Sequence, residues 1–461
     1  MSFTVAPAVK ALQAWYNPGI ALYHWDDPNV PQFIKDLANS VSDIVERFQD
    51  TERWWNSANA LGALIDYMQA TGDMSYAQVL ENTFNNAPAT FTVSPSSVEG
   101  GAVGGGIVGW LVAGPIGGLF GAAGGAAAGA ATSEEKYTNF LNDFYDDEGW
   151  WALTWIKAYD LTKEQKYLNM AVTIGQDMTT GWDSTFGGGI YWGKDHKGPN
   201  GQSPYKNAIA NELFMAVTAR LYLRTKDATW KTWALKEWDW FAGSGLIWGT
   251  AKNFGTLPNQ NFSKEYEYLI NDSLSTLGVN DGTQALWTYN HGVILRALCD
   301  LSIILGDPAP RFIAERIADA AIAKFAPTGI LTEPACDPNC AVDNCQFKGV
   351  FIRNLAVLFV NDHNSTYSTF IKNNATSVLA NGSGSSQFGS IWSRPPDALD
   401  FVRQTAGIDA LNAGNRVLIA EMPINLKSIL SRVGQKPPTS VRQAIGGLTS
   451  SVRAWVAAVT T

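Results

Sequence analysis

Asp146 and Asp147 stand side by side in the run Tyr145-Asp146-Asp147-Glu148-Gly149-Trp150-Trp151. Two carboxyl groups flanking one bond suit glycoside hydrolysis, in which one attacks the anomeric carbon and the other protonates the leaving oxygen. The retaining form of that reaction holds them roughly 5–5.5 Å apart. Neighbouring residues at a helix start place their Cβ atoms at a similar separation, so adjacent aspartates can serve one bond. The charge of one raises the pKa of the other, which then keeps a proton at neutral pH. Trp150 and Trp151 would keep such a site partly dry and offer stacking faces to a sugar. Acidic residues also open helices with no catalytic role, because the positive end of the helix dipole favours them there. The motif alone therefore leaves both readings open.

Other polar residues stand at comparable places. Lys206 and Asn207 with Asn211, Tyr289-Asn290-His291, and Lys348 with Arg353 all lie near the starts of apolar helical stretches. If those helices line one barrel, the ends meet at one mouth, where His291 is expected to face the lumen. His24, His196, His291 and His363 show no metal-ligand spacing. GGAVGGG and FGGGIYW fit neither a phosphate loop nor a dinucleotide fingerprint, and no G-x-S-x-G elbow occurs. Neither metal nor cofactor is expected.

The elements that must position these residues repeat. An apolar helical segment, a short polar turn and a second helical segment recur five times, with turns near Thr71, Thr162, Thr225, Leu305 and Asn361. Thr, Asp and Asn at such turns cap helices by accepting bonds from orphan backbone N–H groups. The segment from Ala6 and the stretch ALDFVRQTAGIDALNAGNRV supply a sixth unit. An apolar helix paired with a mixed one reads as inner wall and outer wall. The predicted fold is all-α, an (α/α)6 barrel of six helical hairpins. It forms a single catalytic domain over 1–461, with a Gly/Ala-rich insertion at 100–133 and a C-terminal extension at about 420–461. An open solenoid usually has a tighter period. GGGIYWG at Gly187–Gly193 and QFGSIW at Gln387–Trp392 read as short loop ribbons.

Composition narrows the ligand. Charged residues are 16% of the chain, against about 25% in ordinary domains, while 18 Trp, 15 Tyr and 21 Phe are present. Such a chain suits a neutral ligand such as a sugar, although a Trp-rich core explains the same counts. The net charge of −9 and the lack of a basic run argue against nucleic acid. Cys299 reads as a buried hydrophobe. Cys336, Cys340 and Cys345 favour a disulfide over zinc, which would need a fourth ligand. Asn-x-Ser/Thr sequons at Asn261, Asn271, Asn364, Asn374 and Asn381 point to a secreted or cell-wall glycoprotein. The N-terminus MSFTVAPAVK lacks a signal peptide, which fits a mature form with an added Met. The closing SVRAWVAAVTT is too short for the apolar tail of a lipid-anchored precursor. The uncharged tract at 100–133 reads first as a surface insertion. Contact with a membrane or cell surface is the second reading, since its Gly density and Pro115 oppose a spanning helix.

The motifs WWNSANALGALIDYMQATGD, YDDEGWWALTWIKAYDLTKEQKYL, GWDSTFGGGIYW, YKNAIANELF, WTYNHGVILRAL, FKGVFIRNL and WSRPPDALDFVRQTAGIDALNA run in order from about Arg53 to Val417. In that order the chain resembles glycoside hydrolase family 76, the endo-α-1,6-mannanase family. The resemblance implies an (α/α)6 barrel that cleaves α-1,6-linked mannose backbones with retention, acting on an α-mannan or related glycan. It implies Asp146 as nucleophile and Asp147 as general acid/base. It also implies sugar subsites shaped by Gly187–Gly189 (Gly188 and Gly189 among them), Trp192, Lys206, Asn207, Asn211, Tyr289 and Asn290. Lys206, Lys348 and Arg353 serve equally well as rim salt bridges. The chain departs from the family pattern at His291, in place of Gln, and at Arg394, in place of Gly. The TFGGG motif also lacks a Cys. A monomer is expected. The competing readings are a transglycosidase of the same family and a non-catalytic glycan-binding protein.

Overall fold

The computed structural model describes residues 2–19, 21–23, 42–87, 139–249, 266–384 and 386–422. The expectations for the tract at 100–133 and for the extension beyond 422 fall outside these residues.

Helices end where the sequence sets a polar turn. Thr71, Thr162 and Thr225 close three of them, and each repeats one device. The threonine hydroxyl donates back to the carbonyl four residues earlier, at 2.8, 2.9 and 2.8 Å. It then accepts from the N–H two residues on, at 3.2, 3.1 and 3.2 Å. Lys163, Lys226, Gly306 and His363 follow their helices in the left-handed conformation, which ends the helical run. Asp227, Asn364 and Asp400 cap the next helices by accepting from backbone N–H groups.

The described residues form twelve α-helices. They are α1 (Ala6–Leu12), α2 (Ser42–Thr71), α3 (Ala77–Asn86), α4 (Tyr145–Thr162), α5 (Gln165–Thr179) and α6 (Ala208–Thr225). Then come α7 (Ala228–Ser244), α8 (Thr288–Leu305), α9 (Ala309–Phe325), α10 (Phe347–Asp362), α11 (Ser365–Asn381) and α12 (Phe401–Ala420). Helices α2, α4, α6, α8, α10 and α12 each pack on the next, and α12 packs back on α2, closing an inner ring. The outer helices α3, α5, α7, α9 and α11 return each hairpin, and α1 packs on α12 to complete the sixth. This is the (α/α)6 barrel that the repeat implies. The ring is tight where glycine allows it. A Cβ on Gly292 would lie 2.6 Å from the Phe351 Cα, and one on Gly349 would lie 2.7 Å from the Ala406 Cα.

Between the layers runs a continuous apolar core. Trp151 belongs to it, packed against Trp54, Phe140 and Trp155 with ring centroids at 4.9, 4.7 and 5.6 Å. It is fully buried. The expectation that Trp151 faces a sugar is therefore corrected.

The described residues contain one small sheet, pairing β1 (Tyr16–Asn17) with β2 (Leu22–Tyr23). The Gly187–Gly193 ribbon is present only as single bridges, Trp182 to Ile190 and Phe144 to Gly193. No helix among the described residues is long and apolar enough to cross a membrane. Cys336 and Cys340 form a disulfide, and Cys299 and Cys345 are buried thiols. Two of the sequons fail on geometry. Asn271 and Asn374 are fully buried and hydrogen-bonded to backbone, so neither accepts a glycan in the folded chain.

Candidate active site

The inner helices run parallel, so their N-terminal ends share one mouth. Asp146 and Asp147 lie in the first turn of α4. The Trp192 indole Nε1 donates to Asp146 Oδ2 at 2.9 Å. Asp146 Oδ1 is buried and accepts no hydrogen bond. Burial raises the Asp146 pKa. Trp192 and the helix-start N–H groups pull it partly back, and the charge of Asp272 adds to the rise. Asp147 is buried as well, and Asn142 Nδ2 donates to its Oδ2 at 2.6 Å. Burial first, and then the charge of Asp146, holds the Asp147 proton well above the usual carboxylate range. The two acids thus differ in kind. One has an oxygen that accepts no hydrogen bond, and the other is held by Asn142 with its pKa raised further by its neighbour's charge.

Their supports come from several elements. Glu148, fully buried, accepts from the Asn142 backbone N–H at 3.0 Å and pairs with Lys194 at 2.7 Å. Asn142 is fixed in this way while its amide holds Asp147. Asp272 accepts from Asn290 Nδ2 at 3.1 Å and from the Tyr205 hydroxyl at 3.5 Å, and burial pushes it up to about 6. Tyr289 stacks on Phe347 at 3.8 Å, and burial together with the charges of Asp272 and Asp146 raises its hydroxyl pKa. Trp55 donates to Asp343 at 2.8 Å and stacks on Trp150 at 5.5 Å. Asn142, Tyr205, Asp272, Asp343 and Trp55 were missed in the sequence. Asn142 lies only four residues before Asp146, but an Asn ahead of a helix start reads as an ordinary turn residue; the other four come from loops and another helix, far from Asp146 in sequence.

The remaining candidates separate into two groups. Trp192 bonds Asp146 directly, Asn290 bonds the neighbouring Asp272, and Tyr289 lies within reach of the charges of both. Lys206, Asn207, Asn211, Gly188 and Gly189 instead build a loop. The Lys206 ammonium binds Asp183 at 2.7 Å and the carbonyls of Thr185, Gly188 and Gly189 at 2.9, 2.8 and 2.8 Å. Asn211 grips both backbone groups of Ile190, at 2.7 and 2.9 Å, and Asn207 caps α6. A Cβ on Gly189 would lie 2.5 Å from the Trp240 ring. The expectation that Lys206 and Asn211 touch sugar is therefore corrected, because both are fully buried and their polar groups are committed to protein. His291 is corrected for the same reason. It is fully buried, accepting at Nε2 from Ile270 N–H at 2.9 Å and bonding through Nδ1 to the Trp287 carbonyl at 2.7 Å. Burial lowers its pKa to about 4, as for a neutral core histidine.

Two measurements probe this geometry. Trp192→Phe keeps the ring but removes the N–H donor to Asp146, and kcat is expected to fall about tenfold or more with little change in KM. Asp272→Asn removes a negative charge that raises the Asp146 pKa. Asp146 must be ionised to attack, so activity rises with pH as it loses its proton. The acidic limb of kcat/KM is expected to move to lower pH in Asp272→Asn, as a full pH–rate profile will show.

The model of glycosyl hydrolase family 76 matches residues 126–425. A mannan endo-1,6-alpha-mannosidase, DCW1 of Eremothecium gossypii, is 26% identical over 359 residues, covering 75% of this chain and 67% of the relative. The Saccharomyces cerevisiae protein of the same name is 28% identical over 222 residues, 46% of this chain and 45% of that one. The chain thus spans about half the length of several such relatives. Among solved structures, an alpha-1,6-mannanase of Salegentibacter sp. HEL1_6, inactivated at two consecutive aspartates and bound to alpha-1,6-mannotriose, superposes with a TM-score of 0.62. It is 19% identical and covers 90% of this chain and 98% of that one. Dfg5 of Chaetomium thermophilum superposes with a TM-score of 0.58 at 19% identity, over 80% of this chain and 82% of that one. These likenesses establish the fold.

Proposed function

The chain belongs to glycoside hydrolase family 76, and from that premise we propose that it cleaves α-1,6-mannosidic linkages by double displacement. In the first step Asp146 Oδ1 attacks C1 and forms a mannosyl-enzyme. Asp147 gives its proton to the departing glycosidic oxygen. In the second step Asp147, now a carboxylate, takes a proton from water, and that water releases the sugar from Asp146. The observation that carries this reading is the asymmetry of the pair: Asp146 Oδ1 accepts no hydrogen bond, while Asn142 holds Asp147, whose pKa burial and the Asp146 charge push well above the usual carboxylate range. The relatives named as mannan endo-1,6-alpha-mannosidases supply the substrate class. The disulfide Cys336–Cys340 fits an oxidising compartment, so we place the protein in the secreted or cell-wall fraction.

Digestion of linear α-1,6-mannan tests the reading. Short mannooligosaccharides are expected, with the α anomer appearing first by proton NMR. A β first product would overturn the double displacement. Turnover confined to an unrelated glycan would overturn the substrate. Longer oligosaccharides built from an added mannotriose acceptor would mark a transglycosidase.

A further inference from the structure

A cavity of about 90 Å³ lies inside the ring toward the C-terminal ends of the inner helices, away from the acid pair. By the usual allowance of about 10–15 Å³ per water it holds several waters or one small ion. Six cations line it: Lys157, Arg220, Arg224, Arg296, Arg353 and Arg416. Two carboxylates line it, Asp66 and Asp160. Two more, Asp300 and Asp409, hold Arg296 and Arg353 at 2.9 and 3.0 Å. With all four carboxylates ionised, positive charge still exceeds negative by two.

The surplus sits on two particular side chains. Arg224 grips Asp160 with two bonds, at 3.0 and 2.5 Å, which leaves Arg220 at 3.8 Å from the same carboxylate. Lys157 holds Asp66 at 2.7 Å, and Arg416 lies 3.9 Å from it. The Arg220 side chain is 7% exposed, and its Nε has no hydrogen-bond partner. Burial, followed by repulsion from Arg296 and Arg224, depresses its pKa to about 9. The negative ends of the helix dipoles do not supply the missing charge. Their field fades within the last turn; Arg224 lies in that turn but is already paired with Asp160, while Arg220 and Arg416 stand five and four residues before their helix ends.

We propose that this cavity is a binding site for a doubly charged tetrahedral oxyanion, inorganic phosphate or sulfate, clasped by Arg220 and Arg416. Guanidinium groups present paired N–H donors that match such oxygens. Neither Asp146 nor Asp147 lines the site; it shares only Trp150 with the residues near the acid pair, so phosphate binding stands or falls apart from the glycosidase reading.

Titration calorimetry of the whole protein with inorganic phosphate, at fixed ionic strength in a buffer free of phosphate and sulfate, tests it. One saturable site is expected, with affinity falling at least tenfold in Arg220→Gln and in Arg416→Gln. Sulfate is expected to compete. A hexose 6-phosphate arm separates the sources: binding as tight as free phosphate assigns the site to a phosphorylated sugar, and weaker binding assigns it to the free ion. Melting-temperature shifts of the wild-type protein provide a second readout that needs no variant. Equal shifts with phosphate and with chloride at matched ionic strength, or unchanged affinity in both variants, would overturn the proposal.

Discussion

Asp146→Asn is expected to abolish mannan hydrolysis, and Asp147→Asn to lower it by about 10²–10⁴-fold, the usual worth of a general acid–base group. The two losses should differ in kind. Asp147→Asn still has its nucleophile, so an aryl α-mannoside whose leaving group needs no protonation should form the mannosyl-enzyme readily and then stall. Added azide, which needs no general base, should release an α-mannosyl azide and restore turnover. Asp146→Asn has no oxygen to attack with, and azide can at best replace it from the opposite face and give the β product. Exchanged outcomes would reverse the two assignments, and full turnover by both variants would end the mechanism. Stability provides an independent check with a fixed sign. Both acids have folded-state pKa values above the ordinary 3.8. The native chain therefore binds protons more tightly than the unfolded chain, and stability falls as pH rises from about 4 toward those raised values. Each Asn variant escapes that loss. It should melt above the wild-type protein at pH 7, and the gain should vanish near pH 4. An inactive variant that melts lower at pH 7 would point to misfolding as the cause of inactivity.

The barrel was legible because its signals are local. The Thr turns terminate helices through bonds spanning two to four residues, and the alternation of apolar and mixed helices separates inner wall from outer. The acid pair was legible because its partners in chemistry are sequence neighbours. The direction of a side chain was not. Successive residues on a helix turn by about 100°, so Trp150 reaches Trp55 and the lumen while Trp151 enters the aromatic layer behind it. Spacing alone does not tell which of the two looks inward until the neighbouring helix is placed. His291 was misread for a related reason. Its partners, Ile270 and Trp287, lie on the chain leading into α8, and a buried histidine satisfied by backbone looks no different in sequence from one that lines a mouth. Asp272 reaches Asp146 from a loop more than a hundred residues away, where only the folded ring sets the distance.

Lys206 carries the largest structural consequence of that limit. The family resemblance left Lys206 either a sugar contact or a salt bridge, and its ammonium is enclosed by Asp183 and three loop carbonyls, which fits the second. Lys206→Met keeps much of the stem and removes every one of those donors. The Gly188 and Gly189 carbonyls then stay buried without partners, and Asp183 loses the charge that holds it below the usual carboxylate range against its burial. Losing one partner of a buried ion pair costs about 3–5 kcal/mol, and part-exposed Asp183 places this case at the lower end. Calorimetry should show the melting temperature falling by roughly 3 °C, since a chain of 461 residues shifts by only about 1 °C per kcal/mol. Arg is not expected to rescue, because a planar fork cannot reach four acceptors that surround a single nitrogen. The same loop leads directly into Trp192, the donor to Asp146, so kcat should fall together with stability. A sugar-contact role predicts the opposite pattern, with KM raised and the melting temperature unchanged.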